Sequence, residues 1–233
     1  RVTAGLLELG VRPATLSGIL ITHEHTDHIL GLPVFTKQYG VPIYGTRETL
    51  FEVLRFDRQG SVPPGLLRPV EPGKPFPLGD FRVCALKTSH DAANPVSYKI
   101  VSREGTAAGI TDLGTYTEET VAFLRGVNVL LLESNHDIRM LEAGSYPYQL
   151  KRRILGDYGH LSNESCGRLL SELLNDRMQY IALGHLSKEN NTRELARLSA
   201  VLEIDSAEND YKSSDFDIQV AWRDRTSPLA ELV

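Results

Sequence analysis

Cysteine is scarce in this sequence, with only Cys84 and Cys166 among 233 residues. Two thiols so far apart make no disulfide framework and point to a reducing cytoplasm. Both sit in apolar patterns and read as small core residues. No apolar run approaches the roughly 18 residues that a membrane span needs, and no secretory signal precedes the first motif, so a membrane partner is excluded. Positive charge is short as well: 25 Lys and Arg stand against 30 Asp and Glu, a net charge of −5 and a pI of 5.8. That balance is the opposite of a strongly basic nucleic-acid binder. Repeats and low-complexity segments are absent. Asn163-Glu164-Ser165 matches a glycosylation sequon, which a cytoplasmic location makes meaningless.

What remains is ordinary for a compact enzyme domain, with 41% hydrophobic and 24% charged residues. A chain of this length buries a sizeable single core, so one domain over residues 1–233 is expected, in two αβ halves of roughly 1–113 and 114–233.

The most informative stretch is Thr22-His23-Glu24-His25-Thr26-Asp27-His28. It sets three imidazoles and a carboxylate within six residues, directly after the apolar run Ile19-Leu20-Ile21. A strand running into a loop presents His23 and His25 on one side, two residues apart, and Asp27 and His28 turn back toward a second position. Neutral imidazole with carboxylate suits Zn²⁺ and its first-row neighbours. A histidine-rich surface loop is the bland alternative, and the spacing argues against it.

Helix and strand signals alternate along the chain. Residues 3–10 read as a helix tail stopped by Gly10. Strands are expected at 17–22, 42–44, 82–87, 96–102, 106–111, 128–133, 178–184 and 216–222, with 96–111 a hairpin. Helices are expected at 32–39, 46–56 with Thr46 as N-cap, 118–125, 163–175 with Ser162 as N-cap, and 192–203. Residues 57–75, rich in Pro, Gly and Arg, read as a surface loop over the site. The alternation predicts an α/β (α+β) protein with two mixed sheets flanked by helices.

Further motifs follow in order: Ser89-His90-Asp91-Ala92-Ala93-Asn94-Pro95, Thr111-Asp112-Leu113-Gly114, Glu133-Ser134-Asn135-His136-Asp137, Gly159-His160-Leu161-Ser162-Asn163-Glu164 and Leu183-Gly184-His185-Leu186-Ser187. With the histidine cluster, they resemble the metallo-β-lactamase fold and, within it, the YycJ/WalJ-like branch of exonucleases. The resemblance implies a four-layer αββα sandwich with metals at one sheet edge. It also implies strands ahead of the first helix; the sequence begins at Arg1 without Met, so the expected sandwich lacks its first N-terminal strands. By resemblance, His23, His25 and His90 hold one divalent ion, Asp27, His28 and His185 hold the other, and Asp112 bridges them. Asp27 counts among the catalytic groups too. Taken alone, His90 and His185 read as satisfied or exposed histidines and Asp112 as a turn residue. Thr22, Asp91 and Asp137 are candidates for orienting the imidazoles, or for capping and turning.

Two cations, Zn²⁺ or Mn²⁺, about 3.5–4 Å apart activate a shared water as hydroxide and polarise the scissile group. A phosphodiester expels an alkoxide, which benefits from a general acid. Related RNA-processing nucleases of this fold place a Glu–His pair where Glu133 and His160 fall, so His160 is expected as proton donor and Glu133 as its orienting carboxylate. The alternative makes His160 a helix-terminal residue and Glu133 a salt-bridge partner. Lys151-Arg152-Arg153, after Tyr146-Pro147-Tyr148, mixes cations with aromatics able to stack on bases, although a charge run is also a common solvated helix face. Arg55, Arg58, Arg68 and Arg139 extend it, and Ser162 with its helix N-terminus offers an anion cradle. The expected activity is a dinuclear metal phosphodiesterase on DNA, 5′-to-3′ by resemblance. A hydrolase of a small ester, thioester, lactone or cyclic nucleotide is the enzymatic alternative, and a non-catalytic metal-binding interaction protein is the other class. Oligomeric state leaves no legible mark.

Overall fold

The computed structural model describes residues 2–230, which form two compact units. The first takes the chain up to Lys87 with Ala92–Tyr98 and Asp224–Thr226; the second takes Thr88–Asp91, Lys99–Arg223 and the chain from Ser227 on.

In the first unit, α1 (Val2–Glu8) ends at Gly10, whose φ of 74° lies in the left-handed region that glycine tolerates. Then come β1 (Ile19–Leu20), α2 (Thr26–Ile29), α3 (Leu32–Tyr39), β2 (Ile43–Gly45), α4 (Arg47–Phe56), β3 (Leu67–Pro69), β4 (Phe76–Leu78) and β5 (Phe81–Lys87). Strands β1, β2 and β3 run parallel, with Ile19 opposite Ile43 and Ile43 opposite Leu67. Strand β4 pairs antiparallel with β5. Thr46 caps α4 as expected, accepting from the Thr49 amide at 3.4 Å. Helix α4 turns Leu50 and Val53, three apart, onto Ile21, Ile29 and Ile43 in this unit's core. Residues 57–75 are not only a loop: they contain β3, with Val62 and Val70 buried. The Pro and Gly signals around a three-residue strand hid its pairing.

Strand β6 (Val96–Val101) carries the chain toward the second unit, which contains β7 (Thr106–Ile110), α5 (Glu118–Leu124), β8 (Val129–Glu133), α6 (Ile138–Ala143), α7 (Tyr148–Leu155), α8 (Asn163–Leu173), β9 (Tyr180–Gly184), α9 (Arg193–Ser206) and β10 (Ile218–Val220). Strands β7, β8, β9 and β10 run parallel, with Ala107 opposite Val129, Val129 opposite Tyr180, and Ile181 opposite Ile218. Strand β7 lies within the second unit. Helices α8 and α9 cover an apolar core in which Cys166, Leu169, Leu170 and Leu173 meet Ala196, Ala200 and Ile204. Burial pushes the Cys166 thiol far up, so it packs as an inert apolar group. Asn163 is fully buried, which removes its sequon from glycosylation. Helices α6 and α7, six and eight residues long, were not expected from the sequence. Among the described residues, no helix is long and apolar enough to cross a membrane.

Candidate metal centre

In the first unit, the loop after β1 gathers the histidines. The His23 ring centroid lies 4.6 Å from that of His25 and 4.1 Å from that of His28. Asp27 and His28 share the single turn of α2, with His28 Nε2 3.6 Å from Asp27 Oδ2. His23 is buried while Asp27 is exposed. Thr22 Oγ1 is 3.1 Å from His23 Nδ1, the orienting position expected for Thr22. Glu24, which carries no expectation from the sequence, anchors this loop: its Oε1 accepts from the Ala93 amide at 2.7 Å and its Oε2 from Thr49 Oγ1 at 3.5 Å. Nothing but its place between two histidines could have marked it.

In the second unit, the candidate groups stand at the carboxyl ends of parallel strands, the usual place for ligands in such sheets. Asp112 follows β7, Glu133 ends β8 and His185 follows β9. Asp112, Glu133, His160 and His185 each offer a ligand atom, all within 4.8 Å of one another. Asp112 Oδ1 lies 3.5 Å from His90 Nε2, 3.7 Å from His160 Nδ1 and 3.7 Å from His185 Nε2. A buried carboxylate facing the Nε2 atoms of His90 and His185 suits a divalent cation, while the His160 Nδ1 is taken by Glu133. Second contacts fix the rings: His90 Nδ1 meets the Gly159 carbonyl at 3.1 Å, and His185 Nδ1 meets Glu133 Oε1 at 2.7 Å, so each turns Nε2 toward Asp112. Burial pushes the His90 pKa down, and the Asp112 carboxylate partly opposes it.

Backbone geometry singles out the same groups. Asp112 at φ 57° and His185 at φ 56° are the non-glycine residues with positive φ among those described. Such strain costs about 1–3 kcal/mol each and gathers at functional sites. Gly114 has no room for a Cβ against Asp157 and Gly159, because the Asp112 loop presses onto the segment before His160. Gly114 N donates to Ser89 O at 2.8 Å, which ties this loop to the His90 loop.

Glu133 is fully buried and accepts four hydrogen bonds. Oε1 takes His160 Nδ1 at 2.9 Å and His185 Nδ1 at 2.7 Å, and Oε2 takes the Leu113 amide at 2.7 Å and the Leu161 amide at 3.1 Å. Burial alone would raise its pKa; the two imidazole hydrogen bonds and their charge outweigh that and hold the carboxyl well below its usual range. The sequence pairs Glu133 with His160 and carries no sign that the same oxygen also holds His185.

The basic run is dispersed. Lys151 Nζ donates to the Glu142 carbonyl at 2.7 Å, and Arg153 Nε donates to Asp91 Oδ2 at 2.5 Å. Arg152 alone stays by the aromatic, 6.0 Å from the Tyr148 centroid. Asp91 also lies 3.6 Å from His90 Nε2. Asp137 is a cap, accepting from the Met140 amide at 2.8 Å. Ser162 caps α8, accepting from the Ser165 amide at 3.2 Å. In the first unit, Arg55 pairs with Glu52 at 2.9 Å and Arg68 donates to the Gly65 carbonyl at 2.7 Å.

Behind Glu133 lies a buried polar network that the sequence did not reveal. Ser134 Oγ donates to Asn163 Oδ1 at 2.6 Å, Asn191 Nδ2 donates to the Ser134 and Asn135 carbonyls at 2.9 and 3.0 Å, and Asn135 Nδ2 donates to the His185 carbonyl at 2.9 Å. It braces the His185 loop. His136, 1% exposed, has no hydrogen-bond partner at either ring nitrogen among the described residues, and burial pushes its pKa down to about 4. Between the ordinary value of 6.5 and about 4, the unfolded chain binds this proton and the folded chain does not, so stability falls as pH falls through that window. In urea unfolding from pH 7 to pH 4, the wild type should lose up to about 1.4 kcal/mol per pH unit more than His136→Phe. Parallel slopes would remove His136 from the acid response.

The β-lactamase superfamily domain model matches residues 7–181. The exodeoxyribonuclease WalJ of Streptococcus pneumoniae serotype 2 (strain D39 / NCTC 7466) is 35% identical over 232 residues, 100% of this chain and 86% of that protein. The exodeoxyribonuclease YycJ of Bacillus anthracis is 39% identical over 184 residues, 79% of this chain and 69% of that protein. Among solved structures, the metallo-beta-lactamase fold protein YhfI from Bacillus subtilis aligns with a TM-score of 0.66, over 92% of this chain and 78% of that one at 20% identity, a likeness of fold.

Proposed function

The chain belongs to the β-lactamase superfamily and, within it, to the family of the WalJ and YycJ proteins, and on that premise we propose that it hydrolyses DNA phosphodiesters from a strand end, in the 5′-to-3′ direction. It is a metal-dependent hydrolase of mixed α/β fold. The ligand set proposed for two ions, Zn²⁺ or Mn²⁺, is His23, His25 and His90 for one, Asp27, His28 and His185 for the other, and Asp112 for both. The cations would lower the pKa of a coordinated water and polarise the phosphoryl oxygens.

The observation that carries the phosphodiester reading is the contact between His160 Nδ1 and Glu133 Oε1, 2.9 Å long and beside Asp112. An ester whose leaving group is acidic departs unaided, whereas a sugar alkoxide needs a proton. Glu133 keeps Nδ1 protonated and stabilises the imidazolium, so the proton given up is the one on Nε2. Water adds to phosphorus, the P–O3′ bond breaks, and His160 Nε2 delivers its proton to O3′. Glu133 holds His185 through the same oxygen, so proton donor and ligand are set by one carboxylate. The compartment proposed is the cytoplasm, in line with two free cysteines.

The test is turnover of end-labelled single- and double-stranded DNA, with a small carboxylic thioester in parallel. Stepwise release of 5′-mononucleotides from the 5′ end supports the reading; turnover of the thioester alone overturns it.

A further inference from the structure

Of the basic run, Arg153 is the member built into the candidate centre. Its Nε donates to Asp91 Oδ2 at 2.5 Å, and the other oxygen of that carboxylate, Oδ1, lies 3.6 Å from His90 Nε2. The segment before His160 folds onto the same turn of α7. His160 N donates to the Ile154 carbonyl at 2.9 Å, and Gly159 leaves no room for a Cβ against the carbonyls of Arg153 and Ile154. The Gly159 carbonyl in turn meets His90 Nδ1 at 3.1 Å, and the His90 and His160 ring centroids are 5.2 Å apart. A closed circuit of contacts thus joins Arg153, His90 and His160. The contact with Asp91 uses only Nε: Nη1 and Nη2 of Arg153 make no hydrogen bond among the described residues, and the side chain is 57% exposed. An exposed ion pair stabilises a fold by only about 0–1 kcal/mol, but this one fixes the direction of a guanidinium. Held at Nε, Arg153 keeps a planar fork open, and such a fork matches two oxygens of a phosphate.

We infer that Arg153 is the receptor for the 5′-terminal phosphate of the strand being shortened, with Asp91 as its positioning residue. This rests on the DNA reading above. One nucleotide separates the terminal phosphate from the scissile one, and one carboxylate separates Arg153 from His90. The chemistry of the reaction favours the strand end as the target. Breaking P–O3′ leaves the phosphoryl group on the shortened strand, so each cut creates the group that Arg153 recognises. A terminal phosphate carries about −1.5 to −2 charge at pH 7, more than an internal phosphodiester, so a single oriented cation prefers the end. Lys151 is bound to a carbonyl and the chain carries a net charge of −5, so it has little with which to neutralise a long run of phosphates. Recognition of one terminal group asks for less.

The test follows two 3′-labelled duplexes that differ only in bearing a 5′-phosphate or a 5′-hydroxyl, at subsaturating concentration. Wild type should make the first cut at the hydroxyl end roughly 10–100-fold more slowly, the effect of one or two charged hydrogen bonds. Its later cuts on the two duplexes should run at one common rate, because the first cut exposes a phosphate. Arg153→Ala should make first and later cuts on both duplexes at one slow rate. Arg153→Lys, a point charge without the fork, should keep only a small part of the difference. A purely structural role for Arg153 would slow every cut alike and preserve the ratio of first to later cuts. Equal first cuts by the wild type, or an undiminished ratio in Arg153→Ala, overturns the assignment. Wild type that cleaves thymidine 5′-(p-nitrophenyl phosphate) but shortens neither duplex overturns the DNA reading, and the assignment with it.

Discussion

Glu133→Gln should reduce DNA hydrolysis by roughly 10³-fold or more and weaken metal binding by about 10–100-fold. The carboxylate faces four donors, two at each oxygen, and none can be reversed: two are backbone amides and two are Nδ1 atoms of rings whose other nitrogen is needed elsewhere. A glutamine amide offers one oxygen and an NH₂ group. Whichever way it turns, two donors meet a donor at a site with no exposure to water. A buried donor left unsatisfied costs about 1–3 kcal/mol, so a fall in stability of several kcal/mol should accompany the loss of rate. Urea unfolding, metal titration by calorimetry and kcat/KM measured together check this. Retention of rate within threefold, with His160 still functional, would show that the shared carboxylate is not what sets the proton donor.

His160→Ala separates proton donation from metal binding. The variant should keep its metal affinity and fold, because His160 is half-buried and lies outside the proposed ligand set. Its rate on DNA should fall by roughly 10²–10⁴-fold. On thymidine 5′-(p-nitrophenyl phosphate) the loss should be under about tenfold, since nitrophenolate leaves without a proton. Asp112→Ala should instead lose metal and both activities. Equal losses on both substrates in His160→Ala would assign His160 to structure or to binding.

Much of the candidate site was legible in the sequence as a set of possible ligands, for a physical reason. His23, His25, Asp27 and His28 lie within six residues, so their spacing alone marks them as candidate metal ligands. His90, Asp112 and His185 carry no such local signal; each followed a strand pattern, and the family order was needed to pick them out. Strand ends were readable because β8 and β9 are buried apolar runs, and helices α3 and α8 because their apolar spacing and the Ser162 cap agree. Strand β3 was hidden because three residues give too few periods to register; α6 and α7 carried no expectation, although α5 and α3 are about as short and were legible. The partners of the basic run were illegible for another reason: Arg153 meets Asp91 across 62 residues of sequence, and Lys151 meets a backbone carbonyl. Charge composition cannot distinguish a guanidinium facing solvent from one held by a carboxylate. The Ser134, Asn163 and Asn191 network was hidden in the same way, as polar residues that a surface reading would have accepted.

The most direct test is the rate of 5′-labelled DNA shortening by metal-stripped protein as Mn²⁺ or Zn²⁺ is added back stepwise. A dinuclear phosphodiesterase predicts no activity at zero equivalents and saturation at two ions per chain. Full activity in excess chelator, or saturation at a single ion, would contradict it.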